Sequence, residues 1–337
     1  MSHTPSKKEE HARNVAQDMI DRLKAGTSPL QQLWVPGQHA FRMPYNAVSG
    51  RSYSLANGLR LWAQQEALGY TDSRWLTLRQ GNGLGARVRK GEKSTGILKR
   101  FTRKAEAEHT KPEHEAEDDT SRPYFSMMPV FNAQQFDGLA PQPATPVPGE
   151  FERHARCEAL IEDVRTSGVL IEHDGGNQAY YRPSTDSIHL PLREQFRDSS
   201  SYYGVVLHEC GHATGHPSRL NRDLSGKFGS ASYAREELRA ELASLMAGDR
   251  LQIGFQLGQH DAYVGHWIKL LENDYRELFS ACANAEKICE HLKIEKYEHL
   301  PTPKLVRAEE QTVESQEEGK GRHRRQRKVE QTMGLSL

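Results

Sequence analysis

His208, Glu209 and His212 stand in the order H-E-x-x-H, with Cys210 and Gly211 between them. Tyr202 to Val206 supply an apolar approach and Gly215 a stop, so the motif is predicted to lie on a helix. On a helix, positions four apart lie one above the other on the same face, and two imidazoles so placed can grip one Zn2+. Glu209 then falls beside the metal and not on it, where a carboxylate can take a proton from an attacking water. Five residues thus offer two ligands and a general base for hydrolysis.

Two surface histidines on any helix would give the same spelling, so the reading needs a third ligand. The segment from Tyr233 to Leu242 reads as a second helix, with Leu238, Leu242 and Leu245 giving it an apolar stripe and acids at Glu237 and Glu241. Glu237 lies 25 residues beyond His212, room for a loop and a returning helix. It is the candidate third ligand, with Glu241 one turn on to orient a ligating histidine. The alternative pattern H-E-x-x-H-x-x-G-x-x-H fits as far as Gly215 and then meets Ser218 where the last histidine should be, leaving His216 as the second choice of ligand. His216, Arg219 and Tyr233 are candidates to steady an oxyanion, with nothing in the sequence to choose among them.

The elements that must position these groups belong to a chain of 337 residues, long enough for two domains. Lys+Arg and Asp+Glu balance at 45 each, yet residues 1–103 hold 17 basic and 7 acidic side chains. A basic front on a neutral protein suggests a polyanionic partner for that half; a solvated basic face is the bland alternative. The four cysteines show no C-x-x-C pairing, the N-terminus lacks a signal-peptide pattern, and no apolar run approaches 18 residues. A cytoplasmic location with reduced thiols is therefore expected.

Helices are expected over 9–25, 54–68 and 151–166, and as one long closing element over 274–292. Strands are expected at 75–79, 87–89, 96–101 and 124–131, punctuated by glycine turns, and again at 169–171, 179–182 and 188–190. Residues 105–120 carry seven acids and one lysine and read as a flexible insert between two strands. The proline-rich stretch 141–150 reads as a linker between a domain over 8–140 and another over 151–300. Residues 301–337 form an acidic and then a basic block, expected to be a disordered charged tail.

In the front half Trp34, Phe41, Tyr45, Tyr53, Trp62, Tyr70 and Trp75 are interleaved with arginines and lysines. Flat side chains for base stacking and cations along the phosphates are what sequence-tolerant single-strand binding requires. Trp62 sits on an apolar stripe and is read as core, as are Trp34 and Trp75. The cluster Arg87, Arg89, Lys90 and Lys93 around Gly91 is the better functional patch, offering charge and backbone N–H groups together. The full set of candidate DNA contacts is Arg42, Tyr45, Asn46, Arg51, Tyr53, Arg79, Arg87, Arg89, Lys90 and Lys93.

Several strings in collinear order resemble one family. They include Pro44-Tyr45-Asn46, Trp75-Leu76-Thr77, Val88 to Lys93, Val130 to Leu139, His208 to His216, and Glu236-Glu237-Leu238 with Ala240-Glu241-Leu242. This pattern is similar to the ArdC-type antirestriction proteins of plasmids and other mobile elements, whose N-terminal domain is shared with conjugation primases. The resemblance spans about residues 8–295 and says nothing of the acidic insert or the tail. It implies an α+β chain: an N-terminal mixed α/β domain binding single-stranded DNA, then a zincin-like, mainly helical metallopeptidase domain with a small sheet. It also implies protection of incoming DNA from host restriction.

The expectation is therefore a gluzincin-like zinc peptidase site (His208, His212, Glu237, base Glu209) joined to a non-specific single-strand DNA-binding half, with a host protein as possible substrate. Two rivals stand beside it: a DNA-binding protein whose zinc is structural, and a DNA-stimulated protease that cuts DNA-bound proteins.

Overall fold

The computed structural model describes residues 6–31, 42–101, 124–142, 149–255, 261–296 and 299–303. The acidic insert, most of the proposed linker, the tail beyond 303, Trp34 and Phe41 lie outside the described residues.

The first half begins with α1 (Lys7–Ala25), opened by the Ser6 hydroxyl accepting the Glu9 N–H and closed by Gly26 in the left-handed region at φ 68°. Then follow β1 (Tyr45–Asn46), α2 (Leu55–Leu68), β2 (Arg74–Leu76), α3 (Leu78–Gly83), β3 (Arg87–Val88), β4 (Thr95–Phe101), β5 (Tyr124–Asn132) and β6 (Phe136–Asp137). Four strands form a sheet in the order β1-β2-β5-β4, parallel between β1 and β2 and otherwise antiparallel, while β3 and β6 make a separate ribbon. The strand expected over 75–79 stops at Leu76. Thr77 accepts the Gln80 N–H and Gln80 reaches back to the Thr77 N–H, so a reciprocal cap starts a short helix where strand was expected.

The second half runs α4 (Glu150–Thr166), β7 (Leu170–His173), β8 (Tyr180–Arg182), β9 (Ser187–Leu190), α5 (Ser199–Ala213), α6 (Ala231–Leu251), α7 (Asp261–Asn273) and α8 (Arg276–His291). Its sheet has the order β7-β9-β8, with β9 buried throughout and β8 at an edge. The expected long helix over 274–292 begins instead at Arg276, because the Asp274 carboxylate accepts the Arg276 N–H and breaks it from α7. Helix α7 itself had no counterpart in the sequence reading.

One continuous core crosses between the halves. Val15, Met19 and Leu23 of α1 and Leu59 and Trp62 of α2 join Leu238, Leu242 and Leu245 of α6, Trp267 of α7 and Ile288 of α8 in a single buried cluster. Each such side chain removed from water contributes on the order of 1.5–3 kcal/mol. A polar contact reinforces the seam: Glu286 of α8 accepts the Leu55 N–H at 2.8 Å, capping α2, whose Ser54 makes no side-chain cap. The molecule is α+β, with sheet and helices in the first half and a mainly helical second half. Among the described residues no helix is long and apolar enough to cross a membrane. All four cysteines are free and buried.

Candidate metal centre and nucleic-acid face

Helix α5 brings the two histidines into register. Asp198 caps it, accepting the Ser201 N–H at 2.8 Å, and its core face buries Tyr202, Val206 and Leu207. That anchoring turns His208 and His212 toward α6, and their Nε2 atoms converge to 3.1 Å. Helix α6 is capped by the Ser230 hydroxyl and lies close enough to α5 that a Cβ on Gly211 would touch Ala240 at 3.7 Å. Glu237 therefore meets both imidazoles, 3.5 Å from His208 Nε2 and 3.5 Å from His212 Nε2. One donor atom from each of the three lies within 4.8 Å of the others. Two imidazoles and a carboxylate facing one point are a donor set suited to a divalent metal ion, with room left for a further ligand.

Each histidine is braced from behind. His208 Nδ1 is 3.1 Å from Glu241, and His212 Nδ1 is 3.3 Å from Glu236. Such partners fix the tautomer that aims Nε2 forward. Glu236 is in turn held by Arg222, whose Nη2 and Nε donate to it at 2.7 and 3.0 Å. Arg222 also donates to the Gly211 carbonyl at 2.8 Å and to the Thr214 hydroxyl at 2.7 Å, tying the loop after α5 to the end of that helix. Gly215 allows this crossing, since a Cβ there would lie 2.8 Å from Leu224 and 3.0 Å from the Arg222 guanidinium. Sequence reasoning passed over Glu236 and Arg222. Glu236 adjoins the candidate ligand Glu237 and carried a signal; Arg222 sits in a loop, where no periodicity marks it.

The electrostatics agree with a cation site. Burial opposes charge on His208, yet its bonds to Glu237 and Glu241 outweigh this and raise its pKa well above the ordinary value. Burial likewise opposes charge on His212, but Glu237 and Glu236 lift it to about 9. Glu237 is held far below the usual carboxylate range: burial would raise it, and the two histidines overcome that. Burial pushes the Glu209 carboxyl up, against the pull of His208 and His212 and a hydrogen bond from the Tyr181 backbone N–H. Glu209 opens with the donor set into a cleft of about 870 Å³, bordered by edge strand β8 and by Tyr233 and Tyr263. Of the three oxyanion candidates only Tyr233 lines this cleft. Arg219 is engaged with Asp186, the Tyr181 hydroxyl and the Ala213 carbonyl, pinning β8 and β9 to the end of α5. His216 bonds the Ser218 hydroxyl at 2.7 Å and is outside the converging donor set.

The candidate DNA contacts divide into two groups. Arg51, Arg79, Arg87, Arg89, Lys90 and Lys93 are exposed, the last four gathered about the Gly91 turn, where Arg89 pairs with Glu92 at 2.7 Å. Tyr45, Asn46 and Tyr53 are drawn into the structure. Tyr45 is buried and stacked on His299, ring centroids 3.8 Å apart, which leaves no open face there for a base. The Asn46 carboxamide oxygen accepts the Val48 and Ser49 N–H groups, and the Tyr53 hydroxyl donates to the Trp75 carbonyl at 3.1 Å. Arg42 is partly buried. Trp62 and Trp75 are buried, as expected of core residues.

Comparison with known proteins follows the same division. Residues 9–131 match the N-terminal domain of anti-restriction factor ArdC, and residues 155–284 match a zincin-like metallopeptidase family, MPTase-PolyVal. Crystal structures of the antirestriction ArdC protein from plasmid R388, metal-free and Mn(II)-bound, superpose with TM-scores of 0.62 and 0.64. Both are 29% identical, and the match covers 84% of this chain and 96% of theirs. The chain belongs to the ArdC-type antirestriction family. Relatives of this family member include two proteins described as DNA primase TraC, from Escherichia coli. They are 44% and 43% identical over 81% and 82% of the chain, which spans only 26% and 19% of their length. An uncharacterized protein, y4eC of Sinorhizobium fredii (strain NBRC 101917 / NGR234), is 39% identical, over 85% of the chain and 92% of its own length.

Proposed function

We propose that this ArdC-type chain is a zinc-dependent peptidase joined to a sequence-tolerant single-strand DNA-binding half, and that it protects incoming DNA from host restriction. The domains are those of the sequence reading, 8–140 and 151–300, meeting across the shared core. The observation that carries the peptidase reading is the placement of Glu209, buried beside three converging donor groups yet facing an open cleft. A closed structural site has no use for such a base.

His208, His212 and Glu237 would hold the ion. When bound, a zinc ion supplies a Lewis acid that polarises a carbonyl and eases ionisation of water. Everything else comes from the chain. Edge strand β8 borders the cleft and offers an extended peptide its backbone groups other than the Tyr181 N–H, which Glu209 accepts. Glu209, its basicity raised by burial, takes the proton as water oxygen bonds to the peptide carbon. It returns that proton to the leaving nitrogen as the C–N bond breaks. Tyr233 is the one oxyanion candidate within reach of this cleft. On the DNA side, the exposed cations about Gly91 support phosphate contact, and kinship with ArdC and with primases supports DNA as the partner.

The test is transfer of unmodified plasmid DNA into a restricting host expressing either wild type or Glu209→Gln, at matched protein level and metal content. Protection should be lost with the variant. Protection that survives unchanged would sink a proteolytic mechanism and leave shielding by the DNA-binding half.

A further inference from the structure

One wall of the cleft holds more than hydrolysis requires. Phe228 lies on the loop before α6 and is 70% exposed. Its ring nevertheless sits 5.6 Å from Tyr233, 6.0 Å from Tyr263 and 6.4 Å from His266. Tyr233 and Tyr263 meet hydroxyl to hydroxyl at 3.1 Å, with their rings tilted by 48°. Phe228, Tyr233 and Tyr263 all line the cleft.

The loop that carries Phe228 is anchored. A Cβ on Gly226 would come within 2.5 Å of the Tyr233 backbone nitrogen, so the loop backbone lies directly against the first turn of α6. The Ser230 N–H closes on the Lys227 carbonyl at 2.9 Å, and the Ser230 hydroxyl caps the helix. A large apolar ring is thus held at the rim of a cleft with most of its surface in water. Tyr233 precedes Glu237 by four residues, one helical turn on the same face, so this wall stands directly beside the donor set.

We propose that Phe228, Tyr233 and Tyr263 form a subsite for an aromatic side chain, carried by the substrate residue next to the scissile bond; the inference rests on the peptidase reading above. The three rings stand at 48° to 64° to one another with centroids 5.6–6.0 Å apart. A fourth ring laid from the cleft against this cluster meets edges and faces together, the arrangement aromatic pairs favour over simple apolar contact. The partner that best uses this wall is therefore Phe, Tyr or Trp, ahead of an aliphatic side chain.

Binding, not turnover, tests it. The zinc-loaded full chain carrying Glu209→Gln is titrated with end-blocked hexapeptides that differ only at one central position (Phe, Tyr, Trp, Leu or Ala), in competition with a fluorescent member of the set. The aromatic peptides should bind roughly tenfold or more tighter than the alanine peptide and roughly two- to tenfold tighter than the leucine peptide. Adding Phe228→Ala should shrink that preference markedly, and Phe228→Trp should restore it. Metal content and melting temperature should match the parent in both, because the ring is mostly exposed. Equal affinity across the set, or an aromatic preference untouched by Phe228→Ala, overturns the subsite and leaves the peptidase reading standing. No binding of any peptide by the metal-loaded protein overturns both.

Discussion

The metal centre and the basic face about Gly91 place charge in opposite ways. At the centre the charged groups behind the donor set are paired: Glu241 behind His208, Glu236 behind His212, Arg222 behind Glu236, all at or below 13% side-chain exposure. At the basic face Arg87, Arg89, Lys90 and Lys93 stand in solvent, and Arg89, with 43% of its side chain exposed, is paired to a neighbour on its own turn. The first arrangement fixes geometry and fails sharply when one member is lost; the second presents a field and degrades by small steps. Three tests, from the largest expected effect to the smallest, probe that contrast.

Arg222→Met should do the most damage. It leaves the Glu236 carboxylate buried with His212 and a longer contact to Arg239 at 3.6 Å, and removes the tie from the loop to Gly211 and Thr214. Stripping one member from a buried ion pair costs about 3–5 kcal/mol, and loss of support behind a ligating histidine lowers metal affinity by about 10- to 100-fold. Chemical unfolding of the metal-free protein and competition with a chelating dye read the two effects, while single-strand DNA affinity should hold. A parallel fall in DNA affinity would mean the two regions act as one, and the contrast would fail.

How much of this was open to sequence reading follows the same line. His208, Glu209 and His212 could be placed because a helix converts a spacing of four into a shared face, and Glu237 and Glu241 repeat that spacing on the returning helix. Arg222 could not, because its partners Gly211, Thr214 and Glu236 are reached through a loop whose path no periodicity encodes. In the first half the cations were legible as a count along the chain, but the destinations of the aromatics were not. Tyr45 reads equally well as a stacking platform or as core, and what covers it is His299, more than 250 residues away. The break between α7 and α8 depends on a single carboxylate, Asp274, turning onto its own backbone. The fold class was legible through the collinear motifs that carry the family resemblance; the seam between the halves, one continuous core, is a property of tertiary packing alone.

A buried carboxyl at that seam offers a second test, of intermediate size. Asp249 on α6 accepts the Met43 N–H at 3.1 Å, and burial pushes its pKa up to about 6 despite that bond and the nearby Arg250 and Arg42. In an unfolded chain the group titrates near 3.9. The folded state therefore holds the proton more tightly between about pH 4 and 6. The stability this group contributes is fully present below the unfolded pKa and is lost as pH rises through about 6. Asp249→Asn keeps an acceptor for Met43 and carries no charge. It should raise stability at pH 7.5 by at most about 3 kcal/mol and flatten its fall between pH 4.5 and 7, read by urea unfolding at each pH. A variant with the same pH slope as wild type would show that Asp249 is already ionised within the seam.

The smallest effects belong to the basic face, and their pattern matters more than their size. If Lys90 and Lys93 each neutralise one phosphate, Lys90→Ala and Lys93→Ala should each reduce the slope of log affinity against log salt by about 0.7 for single-stranded DNA. Arg89→Ala should change it less, because Glu92 already holds the guanidinium at 2.7 Å, and Glu92→Gln should instead strengthen binding by releasing it. Fluorescence anisotropy of a labelled oligothymidine over 50–200 mM salt, with melting temperature as a control for folding, separates these outcomes. Equal losses from all three cations would mean that Glu92 gives way to phosphate on binding. No change from any of them would move the DNA path off this turn and toward Arg51 and Arg79, the other exposed cations of the first half that the sequence singled out.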